Sequence, residues 1–350
     1  MLTTPLTRTL TEYIRRMPKV ELHVHMEGAT QPETLLKLAQ RHAITLPGDT
    51  VEGIRQWYTF RDFPHFVDIY INICECMQSV DDIEQLAREF LAGQAAQNIR
   101  HTEATYTPYT HYRIAGISFE DQLAALNRAR AWAEAEFGIT AGWITDISRE
   151  VSPETGMMVA EWAISSKDNG VLALGLGGDE VNNPPSRFAA AFQLAYDAGL
   201  PCVLHAGETG GPDSIWGALQ VGYPVRIGHG VRCYEDPALV DELRRLQIPL
   251  EVSPTSNVCI GVFASLEEHP LPRMIADGLY VTVNSDDPPM FNTTLTDEYL
   301  RIADVFGFGA DDLERLVLNA LRVALLPEAT KVRMEAEFVD EFAQLRSELF

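Results

Sequence analysis

Positive charge is scarce in this sequence. Its 350 residues carry 27 Lys and Arg against 50 Asp and Glu, a formal net charge of −23. A surface that acidic repels phosphate backbones and anionic lipid headgroups, which argues against nucleic acid and membranes as partners. A small neutral substrate in a local cleft is not. Cysteine is sparse too. The five residues Cys74, Cys76, Cys202, Cys233 and Cys259 are odd in number and contain no Cys-x-x-Cys pair. That argues against a disulfide framework and for reduced thiols in a cytoplasmic protein. No apolar run reaches the roughly 18 residues that a membrane span needs. Arg15 and Arg16 are followed by Pro18, Lys19 and Glu21 rather than by an apolar stretch, so no signal peptide is read there. Low-complexity segments and short tandem repeats are also absent.

What is present is an alternation. Strand-like runs occur at Lys19–Val24, Ile99–Tyr106, Gly138–Asp146, Val171–Gly177, Pro201–His205, Val225–His229, Pro249–Val252 and Tyr280–Asn284. Between most of them lie stretches of helical period, such as Pro32–His42, Phe119–Glu136, Ser186–Ala198 and Pro237–Leu246. The tail, Glu328–Leu349, reads as one more amphipathic helix. Strands alternating with helices predict parallel pairing, and eight such units predict a closed barrel. The expected architecture is α/β: one (β/α)₈ TIM-barrel domain over residues 1–350, with a helical insertion after the first strand. That insertion covers residues 47–90 and holds Trp57, Tyr58, Phe60, Phe63, Phe66, Ile69 and Tyr70. Two readings stand for it: extra helical packing, or an apolar lid over the barrel mouth led by Phe63 and Phe66.

Barrel enzymes work at the carboxyl ends of their strands, and the chemically capable residues of this chain fall there. The first strand ends in Glu21-Leu22-His23-Val24-His25-Met26-Glu27-Gly28. His23 and His25 are two apart and face one side of the strand, the barrel interior, where two imidazoles can meet one cation. The fifth ends in His205-Ala206-Gly207-Glu208, adding a third imidazole and a candidate proton carrier. The sixth ends in Gly228-His229-Gly230, and His229 suits either a further ligand or an orienting group. The eighth ends in Asn284-Ser285-Asp286-Asp287-Pro288, two adjacent carboxylates that repel unless a cation or donor offsets them. After the fourth strand come Gly177-Gly178-Asp179-Glu180, where a flexible glycine can present a backbone N–H to a ligand. No Lys ends that strand; Lys167 precedes it, at the wrong end to bridge two metals. A single metal is therefore expected. Histidine and carboxylate ligands with an open position suit Zn²⁺, one per chain.

In order and spacing, these motifs together with Ser253-Pro254-Thr255-Ser256-Asn257 resemble those of the adenosine deaminase family of the amidohydrolase superfamily over most of the chain. The resemblance implies that His23, His25, His205 and Asp286 bind zinc. It makes Glu208 the acid that protonates purine N1, and His229 and Asp286 the groups that orient and deprotonate the attacking water. Substrate contacts would come from His25, Glu27, Gly178 through its N–H to N3, and Asp287 at N7. The implied reaction is deamination of a small-molecule 6-aminopurine nucleoside, adenosine or 2′-deoxyadenosine, to inosine or 2′-deoxyinosine plus ammonia. One departure bears on the substrate. Many members of the family have Asp where Glu27 stands, contacting the sugar 5′-hydroxyl, whereas adenine deaminases tend to carry Glu. Gly178-Asp179-Glu180, by contrast, looks like the adenosine branch. The same chemistry on adenine or on a 5′-modified adenosine such as aminodeoxyfutalosine is therefore the alternative. A ligand-binding barrel without turnover is a remote third, opposed by the joint presence of Glu208 and Asp286.

Overall fold

In the computed structural model, which describes residues 6–350, eight parallel strands form one sheet in the order β1 to β8. They are β1 (Lys19–His25), β2 (Ile99–Tyr106), β3 (Thr140–Ser148), β4 (Val171–Gly177), β5 (Cys202–Ala206), β6 (Pro224–His229), β7 (Leu250–Val252) and β8 (Val281–Val283). All eight predicted runs are strands, and the tail is the predicted helix Glu328–Leu349. The fold is a (β/α)₈ TIM barrel with helices packed around it. Helices bury one strand face and the barrel interior buries the other, so β1 is buried along almost its whole length. Leu22 and Val24 belong to the main apolar core, while His23 and His25 alternate with them onto the inner face.

The seam between β1 and β8 closes differently from the other pairs. The eighth strand is Val281–Val283, shorter than the predicted Tyr280–Asn284, although the Asn284 N–H still donates to the Val252 carbonyl at 2.9 Å and its side chain reaches across to β1. Its Oδ1 accepts the backbone N–H groups of Leu22 at 3.0 Å and His23 at 3.1 Å. Beyond it the His25 N–H donates to the Asp286 carbonyl at 2.8 Å, and the Asp286 N–H to the His23 carbonyl at 3.1 Å. The closing hydrogen bonds thus belong to candidate ligand residues. Asp286 and His229 both adopt positive φ, +66° and +62°. Non-glycine residues rarely do so, and such conformations gather at functional sites.

Lower in the barrel the interior is ionic. The Arg226 guanidinium bonds Glu103 Oε2 and Glu251 Oε1, each at 2.5 Å, with all three side chains fully buried. Burial alone would raise Glu103, but Arg226, His101 and the Leu325 N–H together outweigh it and hold the carboxyl at about 2.

The first helix α1 (Arg8–Arg16) packs on the tail helix, and α2 (Pro32–Arg41) follows β1. The long segment after it divides into α3 (Val51–Trp57), α4 (Phe63–Glu75) and α5 (Val80–Ala96). The Asp62 side chain caps α4 by accepting the His65 N–H, and Ser79 caps α5 in the same way with Asp81 and Asp82 in its first turn. α5 lies against β2, in the place of an ordinary barrel crossover helix. The segment outside the barrel repeat is therefore α3 and α4, shorter than 47–90. Among the described residues no helix is long and apolar enough to cross a membrane, and all five cysteines are free thiols.

Candidate active site

The carboxyl ends of β1, β5 and β8 bring His23, His25, His205 and Asp286 together, with one ligand-type atom of each lying within 4.8 Å of the others. Asp286 Oδ1 is 3.5 Å from His23 Nε2 and 3.3 Å from His25 Nε2. The Nε2 atoms of His25 and His205 are 3.1 Å apart. Two ring nitrogens that close need a proton or a cation between them.

The remaining ring nitrogens show which tautomers are held. His205 Nδ1 donates to the Leu176 carbonyl at 2.9 Å, and His23 Nδ1 donates to Glu251 Oε2 at 2.9 Å. Both leave Nε2 as the free lone pair, the arrangement of a metal-binding histidine with its outer partner. His23 Nε2 is buried without a hydrogen-bond partner. Burial opposes a charge on His23, yet Asp286 and Glu251 outweigh it and raise the ring to about 10. Burial and the neighbouring rings drive His205 the other way, well below its ordinary value. The donor set is thus three imidazoles and one carboxylate around a point that favours positive charge, which fits a divalent cation.

A second group, Glu208, His229 and Asp286, adjoins the first. His229 Nδ1 lies 3.4 Å from Glu208 Oε1, and His229 Nε2 lies 3.9 Å from Asp286 Oδ2. Burial, with the His23 ring beside it, lowers His229 to about 3 and so favours the neutral ring. Burial, with Asp286 and Glu180 close by, pushes Glu208 well above the usual carboxylate range. The same causes, burial and Asp286, raise Asp287. Both shifts favour the neutral carboxyl, the form that can donate to ring nitrogens.

These residues open onto a cavity of about 650 Å³. Of the predicted contacts, His25, Gly178, Asp287, Phe63 and Phe66 line it. Phe63 and Phe66 sit on α4, and Phe66 stacks on Phe291 from the loop after β8 at 5.5 Å between ring centres, so α4 covers one side of the mouth. Glu27 is placed otherwise. It is fully buried behind the cavity wall, where Oε1 accepts the Thr107 N–H at 2.9 Å and lies 3.2 Å from His111 Nε2. Its Oε2 accepts the Tyr70 hydroxyl at 3.2 Å. Burial alone would raise Glu27, but His111 and the Thr107 N–H outweigh it and keep the carboxylate ionised.

Several residues at the site carry little sequence signal of their own. Ser256 Oγ donates to Asp286 Oδ2 at 2.6 Å, and the Asn257 amide lies 3.3 Å from Glu208 Oε1 and 3.2 Å from His229 Nδ1. Both belong to the Ser253–Asn257 motif, to which sequence reading attached no role. Glu180 accepts the N–H groups of Gly207 and Glu208 at 2.8 and 2.9 Å and the Ser214 hydroxyl at 2.5 Å, which clasps the loop that carries Glu208. Glu251 interrupts an otherwise apolar strand, a signal that could have found it. So could the place of Asp146 at the end of the third run. Its buried carboxyl lines the cavity, and burial raises it to about 7, with Glu27 adding to the effect and His25 opposing it.

Gly28 admits no side chain. A Cβ there would sit 1.6 Å from Asp287 Oδ1. Gly28→Ala is expected to move Asp287 off its position and lower kcat/KM by about 10²-fold, the effect of a misplacement of about 1 Å. Steady-state kinetics beside a thermal melt checks this; wild-type kinetics in the folded variant would mean that the place of Asp287 is immaterial.

Histidines and carboxylates gathered at the carboxyl mouth of a (β/α)₈ barrel define a metal-dependent barrel hydrolase. The adenosine deaminase family model matches residues 18–341. An adenine deaminase of Chlorobium phaeobacteroides (strain BS1) is 38% identical over 323 residues, 92% of this chain and 96% of the relative. An aminodeoxyfutalosine deaminase of Streptomyces avermitilis is 37% identical over 332 residues, 94% of this chain and 92% of the relative. The crystal structure of an amidohydrolase from Burkholderia ambifaria with bound Zn superposes with a TM-score of 0.91 at 27% identity, covering 99% of this chain and 96% of that one. The chain belongs to the adenosine deaminase family, within the amidohydrolase superfamily, and is a hydrolytic deaminase.

Proposed function

We propose that the protein catalyses zinc-dependent hydrolytic deamination of a 6-aminopurine. A 5′-modified adenosine is the substrate the cavity favours, with free adenine as the second reading. The observation that carries this is the cavity itself. Its volume of about 650 Å³ exceeds what a bicyclic base fills, and beyond the polar floor its walls turn apolar at Phe63, Phe66, Ile260 and Phe291. An apolar or aromatic group at the 5′ position suits that rim. Unmodified adenosine is disfavoured by Glu27, whose oxygens already serve Thr107, His111 and Tyr70 and do not face the cavity as a free acceptor for a 5′-hydroxyl. Free adenine is supported by the Chlorobium relative, an adenine deaminase.

His23, His25, His205 and Asp286 would hold the zinc, which when bound supplies a Lewis acid able to bring the pKa of a water down to about 7. The zinc-containing Burkholderia structure supports that choice of metal. The chain's own groups then divide the work. Glu208 donates its proton to N1 and makes C6 electrophilic. His229 and Asp286 hold the attacking water and accept its proton as the oxygen bonds to C6. The amino group then takes the proton that His229 and Asp286 accepted and leaves as ammonia, while the hydroxyl proton on C6 returns to Glu208 as the C6 carbonyl forms. Asp287, held neutral, donates to N7, and the Gly178 N–H meets N3.

The test is a spectrophotometric panel of adenine, adenosine, 2′-deoxyadenosine and 5′-substituted adenosines including aminodeoxyfutalosine, read as loss of the 6-aminopurine absorbance. The 5′-substituted substrate is expected to have the highest kcat/KM, by about tenfold or more over adenosine. Adenosine as the best substrate would overturn the specificity. No turnover of any member would overturn the reaction.

A further inference from the structure

Asp146 has no place in the chemistry described so far, yet it is built into the cavity wall. It lies near the carboxyl end of β3, is 3% exposed, and lines the cavity. Its Oδ1 is buried without a hydrogen-bond partner. The neighbouring strand makes room for it. Asp146 pairs in register with Gly175, and a Cβ on Gly175 would stand 2.5 Å from Oδ1 while one on Gly177 would stand 2.8 Å from Oδ2. Among the described residues no hydrogen bond joins Asp146 to the charged groups beside it, His25, Glu27, Arg149 and Glu150. Arg149 donates through its two terminal nitrogens to the carbonyls of His205 and Asn183, and its Nε is buried without a partner. Glu150 accepts the Ser148 hydroxyl and the Asp179 N–H. A buried carboxyl whose oxygens accept no hydrogen bond from the described residues is costly, and because the side chain lines the cavity that cost is accounted for by a donor that arrives with the ligand.

We infer that Asp146 is a specificity-determining residue that accepts a hydrogen bond from the sugar edge of the substrate, from the ribose 2′-hydroxyl of a nucleoside. The inference rests on the 6-aminopurine reading, and the position of β3 carries it. With C6 at the histidine cluster, N1 at Glu208 after β5 and N3 at Gly178 after β4, the edge holding N3, N9 and the 2′-hydroxyl faces the side of the barrel where β3 adjoins β4. A free base offers its N9–H from the same edge, so both sources present a neutral donor to the same oxygen.

The experiment uses the full chain loaded with zinc and the variants Asp146→Ala and Asp146→Asn, the second isosteric in case the first does not fold. Values of kcat and KM are measured for two pairs: adenosine with 2′-deoxyadenosine, and adenine with 9-methyladenine. Calorimetric binding of inosine against 2′-deoxyinosine gives the same comparison without turnover. The wild type is expected to favour the donor-bearing member of a pair by about tenfold, the worth of one hydrogen bond. Asp146→Ala should bring that ratio close to one, with the loss falling on KM more than on kcat, and Asp146→Asn should lie between. Collapse in the nucleoside pair assigns the 2′-hydroxyl. Collapse in the base pair assigns the ring N–H and overturns the ribose assignment while keeping Asp146 as the acceptor. A ratio unchanged in both variants, an equal loss on every substrate, or a wild type without the preference overturns the role of Asp146. A wild type that deaminates no 6-aminopurine overturns the underlying reading, and this inference falls with it.

Discussion

Glu208→Gln is expected to cut turnover by about 10²–10⁴-fold while leaving the metal in place. The carboxyl is mostly buried, and its Oε1 lies within 3.3 Å of the Asn257 amide and 3.4 Å of His229 Nδ1. Burial beside Asp286 and Glu180 favours its protonated form, which a proton donor to N1 requires. Glutamine has the same shape and can offer an N–H, so binding should survive. It cannot release that hydrogen as a proton, so the rise in electrophilicity at C6 is lost. Glu208 lies outside the histidine and Asp286 cluster, so metal content should stay at about one zinc per chain. Steady-state rates and metal analysis on one preparation test both halves. A near-normal rate would remove Glu208 from its role, and loss of metal would make it a ligand instead.

Asp286→Ala is expected to fail one step earlier, in holding the metal. Among the described residues Asp286 is the only carboxylate grouped with the three histidines, and it also faces His229. Without it the three imidazoles offer no negative charge to a divalent cation, and the water loses one of its two proton acceptors. Metal stabilisation of transition-state charge is worth several kcal/mol, so turnover should fall by about three orders of magnitude or more. Metal per chain should drop well below one after dialysis. Ser256→Ala, which removes only the hydroxyl that orients Oδ2, is the milder comparison. Chelation of the wild type should abolish turnover, and added zinc should restore it. Wild-type metal content with full turnover in Asp286→Ala, or full activity after chelation, would overturn the ligand assignment.

Much of this site is legible along the chain because a barrel turns strand ends into one place. His23 and His25 at period two could be read as a pair on one face, since a parallel strand buried on both sides sends alternate residues into the barrel. His205, His229 and Asp286 follow from the same rule applied to later strands. Strand ends were less legible. β8 stops at Val283 rather than Asn284, and the Asn284 side chain, which no strand pattern marks, ties it to β1. The segment 47–90 ran together in the sequence because helical period cannot tell a crossover helix from a covering one. Packing separates them: α5 lies on β2, and α4 covers the cavity with Phe63 and Phe66.

The four clustered residues with which the reading of strand ends began were determined by the sequence alone, since their identity and their spacing within strands suffice once the strands are parallel. So were the candidate acid Glu208 and the family. Tertiary structure alone decided how the second layer is spent. Glu180 clasps the Glu208 loop from 28 positions away in the chain, and Glu251 orients His23 from 228 positions away. It also decided that Glu27 faces Thr107, His111 and Tyr70 rather than the open cavity, and that the carboxyl of Asp146 does face it. The physical reason is that a carboxylate's role depends on which donors surround it, and those donors come from strands and helices whose distance in sequence carries no signal of their meeting.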